Sequence, residues 1–134
     1  MSQREVNAIA GRLSLRKPQT DSLQALARAI EASPLVLKHG RDSAELADVL
    51  KVLQGQFGTL KDFERDFPSL CFALATGVGK TRLMGAFISY LYAAHGIKHF
   101  FVLAPNLTIY DKLIGDFTPN TPKYVFKGIA EFAA

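Results

Sequence analysis

Apolar residues recur at helical spacing in three parts of this 134-residue chain. The first series follows Thr20 or Asp21, either of which can cap a helix. The second follows Asp42, which has Glu45 three residues further on, as in a capping box, and the third follows Pro105. The spacing therefore predicts three amphipathic helices. Their apolar positions are Leu23, Leu26, Ala27 and Ile30; Leu46, Val49, Leu50 and Leu53; and Leu107, Tyr110, Leu113, Ile114 and Phe117.

The second half of the chain contains short continuous apolar runs. Two of them are SLCFALA at residues 69–75 and HFFVLA at residues 99–104, with a helical stretch of about 16 residues between them. KYVFKG at residues 123–128 reads as a third strand. Parallel strands that are covered on both faces have such continuous apolarity, so the pattern predicts an α/β fold with a parallel sheet of about three strands and flanking helices. A short helix over residues 60–66 is predicted to precede the sheet.

Composition and charge limit the class of protein. The chain is 49% apolar and 21% charged, as in a globular protein, and its length allows one compact domain. A formal charge of +4, from 16 basic and 12 acidic residues, suits a polyanion-binding protein but does not identify one. The single cysteine, Cys71, is expected to pack in the core of a cytoplasmic protein. No run is long enough to span a membrane, so no membrane partner is expected.

A glycine-containing segment, TGVGKT at residues 76–81, lies between a predicted strand and a predicted helix, which is the setting of a phosphate-binding loop. Gly77 and Gly79 allow the backbone to approach a phosphate and point its N–H groups into it. Lys80 would reach the β- and γ-phosphates, and the Thr81 hydroxyl would bind Mg²⁺, so these two residues are the predicted catalytic pair. The alternative is a strand-to-helix turn that ends in Lys-Thr by coincidence.

The loop resembles that of one class of ATPase. LATGVGKT at residues 74–81 is similar to the A-x-T-G-x-G-K-T loop of superfamily 2 helicases and DNA translocases, in which the first glycine of other P-loops is replaced. LRKPQ at residues 15–19 is similar to the L-R-P-x-Q element of that superfamily, here with the two middle residues in swapped order, whose glutamine holds the adenine edge. The alternative for this glutamine is an exposed residue in a turn that leads into a helix. The resemblance implies ATP as the ligand, bound by Gln19, Thr76, Gly77, Val78, Gly79, Lys80, Thr81 and Arg82.

A second turn resembles a nucleic-acid contact of the same superfamily. VLAPNLT at residues 102–108 is similar to motif Ia, V-x-V-P-S-L, which touches the nucleic-acid backbone after a strand. Asn106 and Thr108 offer hydrogen-bond donors to phosphate without reading bases. The alternative is an ordinary turn between a strand and a helix. The residues that the resemblance assigns to DNA are Pro105, Asn106, Leu107 and Thr108.

Over residues 15–34 and 67–128, the chain resembles the restriction (Res) subunit of type III restriction-modification systems and its DEAD/DEAH-type relatives. The resemblance implies a partial N-terminal RecA-like helicase ATP-binding domain over residues 1–134. Within it, residues 15–34 are the adenine-side element and helix, residues 35–66 a helical insertion, and residues 67–134 the P-loop βαβ core.

The parent protein that this resemblance implies is an ATP-driven motor on double-stranded DNA, which works with a methyltransferase partner and cleaves through a separate endonuclease domain. The acidic D-E-x-H motif, the second RecA-like lobe and a nuclease motif do not occur in this sequence. We therefore expect a piece of a longer protein that is inactive by itself. Two alternatives are another lineage of P-loop ATPase and a standalone nucleotide-binding or interaction domain.

Overall fold

The computed structural model describes residues 2–37, 42–75, 77, 79–119, 124 and 126. These residues form helices and irregular segments. The chain divides into two compact units, one of Met1–Leu23 with Leu74–Ala134 and the other of Gln24–Ala73. The α-helices are α1 (Ser2–Arg12), α2 (Lys17–Ala32), α3 (Ser43–Gln56), α4 (Lys80–His95) and α5 (Leu107–Phe117), and a 3₁₀ helix spans Pro34–Leu37.

The predicted parallel sheet is wrong for the described part of the chain, which contains no strand. Residues 69–75 and 99–104 are irregular, and of residues 123–128 only Tyr124 and Phe126 are described. A buried strand needs cover on both faces and a partner for its backbone groups. Phe101 is 88% exposed and Leu103 75%, so this apolar run lacks that cover. Continuous apolarity indicated burial, but it carries no information on which segment would pair with it.

The short helix predicted over residues 60–66 is also absent, because this segment is irregular. Glu64 has a φ of 58°, in the left-handed region that a right-handed helix excludes. The side-chain amide of Gln54 donates to the carbonyl of Lys61 at 2.8 Å, which satisfies a backbone group that a helix would have used.

In the first unit, α1 packs against α4. Val6, Ile9 and Leu13 follow a helical repeat and are at most 4% exposed. On α4, Ala86 and Tyr90 are fully buried. Helix α1 was not predicted, although the spacing of its apolar residues carries the same signal that predicted α2 and α3. It matters for the site because its last turn leads directly to residues 13–19.

In the second unit, a core forms around α3, and the predicted start of this helix is confirmed. The Asp42 side chain accepts a hydrogen bond from the Glu45 N–H at 2.8 Å. Val49 and Leu53 are buried one turn apart and share a cluster with Phe63. Full burial of an aliphatic side chain of this size stabilises a fold by about 1.5–3 kcal/mol. The other members of the cluster are Ala29, Val36, Leu46, Leu50, Phe57, Leu60 and Leu70.

Helices α4 and α5 are confirmed as predicted elements, and each has a clear end signal. Gly96 ends α4 in the left-handed conformation, with φ 67°, that only glycine adopts freely. Asn106 caps α5 by accepting from the Ile109 N–H at 3.0 Å.

Cys71 was expected in the core and is exposed instead, because its apolar run does not form a buried strand. Among the described helices, none has the length and apolarity needed to cross a membrane.

Candidate functional site

The loop leads directly into the N-terminus of α4. Gly77 and Gly79 both have φ near 82°, and Gly79 is the residue that precedes the first turn of the helix. Gly79 has no side chain that could cap this end of α4, and among the described residues no side chain accepts from the first N–H groups of the helix, so these residues leave them available to an anion. Lys80 is exposed at the first position of the helix and Thr81 follows it half-buried. The positive end of the helix dipole and the Lys80 ammonium thus lie at the same end of α4, and the assignment of this end to phosphate stays a prediction.

Two side chains at the start of α2 hold the loop by its carbonyl groups: Arg16, just before the helix, and Gln19, in its first turn. The Arg16 Nη2 donates to the Gly77 carbonyl at 2.9 Å. The Gln19 Nε2 donates to the Gly79 carbonyl, also at 2.9 Å. The carbonyl and the N–H of one trans peptide point in opposite directions, so the Lys80 N–H points away from the hydrogen bond that Gln19 makes to the Gly79 carbonyl. Arg16 and Gln19 therefore hold the loop on the carbonyl side of these two peptides.

Gln19 is 2% exposed, and both ends of its amide are bonded within the chain. Its Oε1 accepts from the Arg16 N–H at 2.8 Å, which is the returning half of a capping box at the start of α2. The alternative of an exposed glutamine is therefore wrong. The assignment of Gln19 to the adenine edge stays a prediction. In this conformation it requires the amide to exchange at least one of its two bonds.

Arg82 connects α4 with the end of α1. Its Nη1 donates to the Leu13 carbonyl at 2.8 Å, at the C-terminal end of α1. A cation is favourable there because the last carbonyls of a helix carry partial negative charge. Arg82 was predicted to bind the nucleotide, and that role stays a prediction beside this observed one.

Thr81 is linked to α5 through Lys112. The Lys112 Nζ lies 3.3 Å from the Thr81 Oγ1 and 2.7 Å from the Asp116 carboxylate. Asp116 is 5% exposed, so its carboxylate is almost completely shielded from solvent and interacts with protein groups. The predicted metal ligand Thr81 thus has a cation beside its hydroxyl oxygen.

The turn at residues 105–108 is exposed at the start of α5. The Asn106 Oδ1 is occupied in capping the helix, which leaves its side-chain N–H₂ as the donor for another group. Among the described residues, no hydrogen bond joins this turn to the loop. The predicted DNA contacts of Pro105, Asn106, Leu107 and Thr108 stay predictions.

Comparison with known protein families gives a match over residues 12–133 to the family described as type III restriction enzyme, res subunit. The chain belongs to this family. Neither the curated proteins nor the solved structures compared with it give a match. The resemblance that rested on the loop and on residues 15–19 is therefore confirmed at the level of the family, which is a helicase-like ATPase lineage.

Not every predicted site residue of the chain lies among the described residues. Thr76 and Val78 lie outside the described residues, so their contacts with a nucleotide stay predictions. The structure does bring Gln19 to the loop, although Gln19 and Gly79 are 60 residues apart in sequence. It also brings Thr81 to α5.

Three residues that contact the loop or its threonine, directly or through Lys112, had no predicted role there: Arg16, Lys112 and Asp116. Arg16 was part of the quoted LRKPQ element, and its charge next to the glutamine could have drawn attention to it. Lys112 and Asp116 have the i, i+4 spacing of a helical ion pair, which is visible in the sequence. The contact of Lys112 with Thr81 is a tertiary one, and no local pattern predicts it.

Proposed function

We propose that this chain binds ATP through residues 76–81, as the N-terminal part of an ATP-dependent DNA translocase or helicase. The preferred subtype is the restriction subunit of a type III restriction-modification system, and the family match supports it. One observation carries the proposal for the site: Gly79, with φ 82°, leads into the uncapped N-terminus of α4, where Lys80 and Thr81 begin the helix.

Each residue of the proposed site has a role that its chemistry suits. The N–H groups of the loop and of the first turn of α4 would bind phosphate oxygens. The Lys80 ammonium, exposed at the helix start, would contact the β- and γ-phosphates. Gln19 would exchange a bond to the protein for the adenine edge, which offers one acceptor and one donor to an amide.

The Mg²⁺ that the family implies fits the residues at Thr81. The Thr81 hydroxyl oxygen already faces a cation, the Lys112 ammonium, at 3.3 Å. A hydroxyl oxygen together with phosphate oxygens is the kind of ligand set that Mg²⁺ binds. When bound, the ion neutralises charge on the β- and γ-phosphate oxygens. Thr81 is the residue of this chain that would hold it.

The proposal extends to DNA and to a partner protein. Double-stranded DNA is the proposed polymer, contacted at its phosphates by the turn at residues 105–108, and a methyltransferase subunit is the proposed partner. The exposure of that turn and the net charge of +4 support contact with a polyanion. Hydrolysis and DNA cleavage are proposed to need groups that these 134 residues do not contain.

Titration calorimetry with ATP and Mg²⁺ tests the proposed site. Lys80→Ala removes the exposed side-chain cation at the first position of α4, and charge-assisted contacts to phosphate contribute roughly 1.5–3 kcal/mol. We expect ATP affinity to fall by at least about tenfold. Lys51→Ala is the matched control, since Lys51 is also an exposed lysine on a helix but lies on α3.

The control variant should bind ATP as the parent does. If Lys80→Ala and Lys51→Ala bind ATP equally well, the loop is not the phosphate site. If the parent chain binds no ATP at any Mg²⁺ concentration, the proposed function is wrong for these residues.

A further inference from the structure

Three side chains form a continuous set of contacts beside the loop, which we name the cation latch: Thr81, Lys112 and Asp116. The Lys112 Nζ lies 2.7 Å from the Asp116 carboxylate and 3.3 Å from the Thr81 hydroxyl oxygen. The Asp116 side chain is 7% exposed, whereas that of Lys112 is 56% exposed. The buried carboxylate is therefore the fixed end of the latch, and it holds the lysine where the ammonium reaches Thr81.

A second ion pair with the same spacing provides a comparison. Lys17 and Asp21 on α2 are also four residues apart, with 2.9 Å between Nζ and carboxylate. Their side chains are 84% and 55% exposed, so that pair lies in solvent, where such pairs contribute little. The buried carboxylate and the additional contact with a residue of the loop distinguish the cation latch from an ordinary helical ion pair.

The hydroxyl oxygen of Thr81 is the atom that the two cations share. An ammonium N–H donates to its lone pairs, and Mg²⁺ would bind the same lone pairs. Two positive charges within a few ångströms repel each other, and more strongly beside a buried group than in bulk water. A bound metal at Thr81 and the observed position of Lys112 are therefore in competition.

We propose that Lys112 competes with Mg²⁺ for the Thr81 hydroxyl, so that the cation latch sets how much Mg²⁺ the site requires. This inference rests on the proposed function, because it concerns the same nucleotide site. Metal and nucleotide bind together only after the lysine has moved from Thr81. At low Mg²⁺ concentration Lys112 therefore stays on the Thr81 hydroxyl, and at high Mg²⁺ concentration the metal displaces it.

The test measures ATP affinity by calorimetry as a function of Mg²⁺ concentration, beginning from EDTA. The variant is Lys112→Met with Asp116→Asn, so that no buried carboxylate is left without its cation. Because Lys112 is half exposed, we expect the Mg²⁺ concentration for half-maximal ATP affinity to fall by only about two- to fivefold. Affinity for ATP in EDTA should not rise, since the lysine opposes the metal and not the phosphates.

Lys112→Gln is a second variant, which still offers a hydrogen-bond donor to Asp116 but has no charge; it should give the same fall. The matched control is Lys17→Met with Asp21→Asn, which removes the solvent-exposed pair and should leave the Mg²⁺ requirement unchanged. Melting temperatures identify any variant that does not fold. An unchanged or higher Mg²⁺ requirement in both Lys112 variants overturns the inference alone, provided that the parent binds ATP and Lys80→Ala binds it at least about tenfold more weakly. Absence of ATP binding by the parent overturns the proposed function and the inference with it.

Discussion

Replacing Gly79 with alanine should destabilise the chain more than the same change at Gly77. Both glycines have φ 82°, a conformation that costs other residues about 1–2 kcal/mol. At Gly77 an added Cβ would meet no atom of the described residues within 4 Å. At Gly79 it would lie far inside contact distance of the Gln19 Nε2. The two substitutions therefore share the backbone strain and differ in crowding.

The expected magnitudes follow from that difference. Gly77→Ala should lower the free energy of unfolding by about 1–2 kcal/mol, from strain alone. Gly79→Ala also displaces the Gln19 amide, which is 2% exposed and bonded to the Gly79 carbonyl. A buried polar group left without its partner costs about 1–3 kcal/mol. The total for Gly79→Ala is then about 2–5 kcal/mol.

Urea unfolding of the parent, both glycine variants, Gln19→Ala and the Gly79→Ala/Gln19→Ala double variant measures these terms. In the double variant the clash disappears together with the hydrogen bond, so the two changes should cost less than the sum of the single ones. Equal destabilisation at both glycines, with additive effects in the cycle, would refute the close approach of Gln19 to the loop.

Three further predictions concern ligands. Gln19→Ala should weaken the binding of both ATP and GTP, because Gln19 holds the loop. If its amide also binds adenine, calorimetry should show a lower ratio of ATP affinity to GTP affinity in the variant; an unchanged ratio would mean that Gln19 acts on the loop alone. DNA binding should be weak, indifferent to sequence and strongly reduced by salt, and Asn106→Ala should weaken it equally on all sequences in fluorescence titrations; tight, salt-insensitive, site-specific binding would contradict this. Steady-state phosphate release should stay near background with or without DNA, because hydrolysis is proposed to need a second lobe, and the arginine finger that such a lobe supplies contributes about 10³- to 10⁵-fold to the rate by itself. Robust turnover that Lys80→Ala abolishes would mean that the chain contains an unrecognised water-activating carboxylate.

Local patterns predicted α3, α4 and α5, but they missed α1, placed the start of α2 at Thr20 or Asp21 when it begins at Lys17, and gave a helix over residues 60–66 and a sheet that the described residues do not form. The cap at Asp42 and the apolar spacing from Leu46 to Leu53 identified α3, because both signals lie within a few residues of each other. The apolar run at residues 99–104 was read as a buried strand, yet Phe101 is 88% exposed. A strand depends on a partner that is distant in sequence, and apolarity does not specify that partner.

In the candidate site, too, local features were predicted from the sequence and contacts between distant residues were not. The loop was identified from Gly77, Gly79 and Lys80, whose types and spacing are local. The contacts of Arg16 with Gly77 and of Lys112 with Thr81 join residues 61 and 31 positions apart, and no periodic pattern contains them. The sequence therefore supplied the prediction of a phosphate site at this loop, while the side chains that hold the loop and contact its threonine required the three-dimensional structure.

The most direct measurement of the central claim is a set of backbone amide NMR titrations with ATP, tripolyphosphate and adenosine, each in the presence of Mg²⁺. If the loop and the N-terminus of α4 bind the phosphates, the amide signals of Gly77, Gly79, Lys80 and Thr81 should shift with ATP and with tripolyphosphate, and only weakly with adenosine. The Lys80→Ala variant should lose most of these shifts at the same ligand concentrations. If ATP shifts amides elsewhere and leaves those four unchanged, the phosphate site is not this loop.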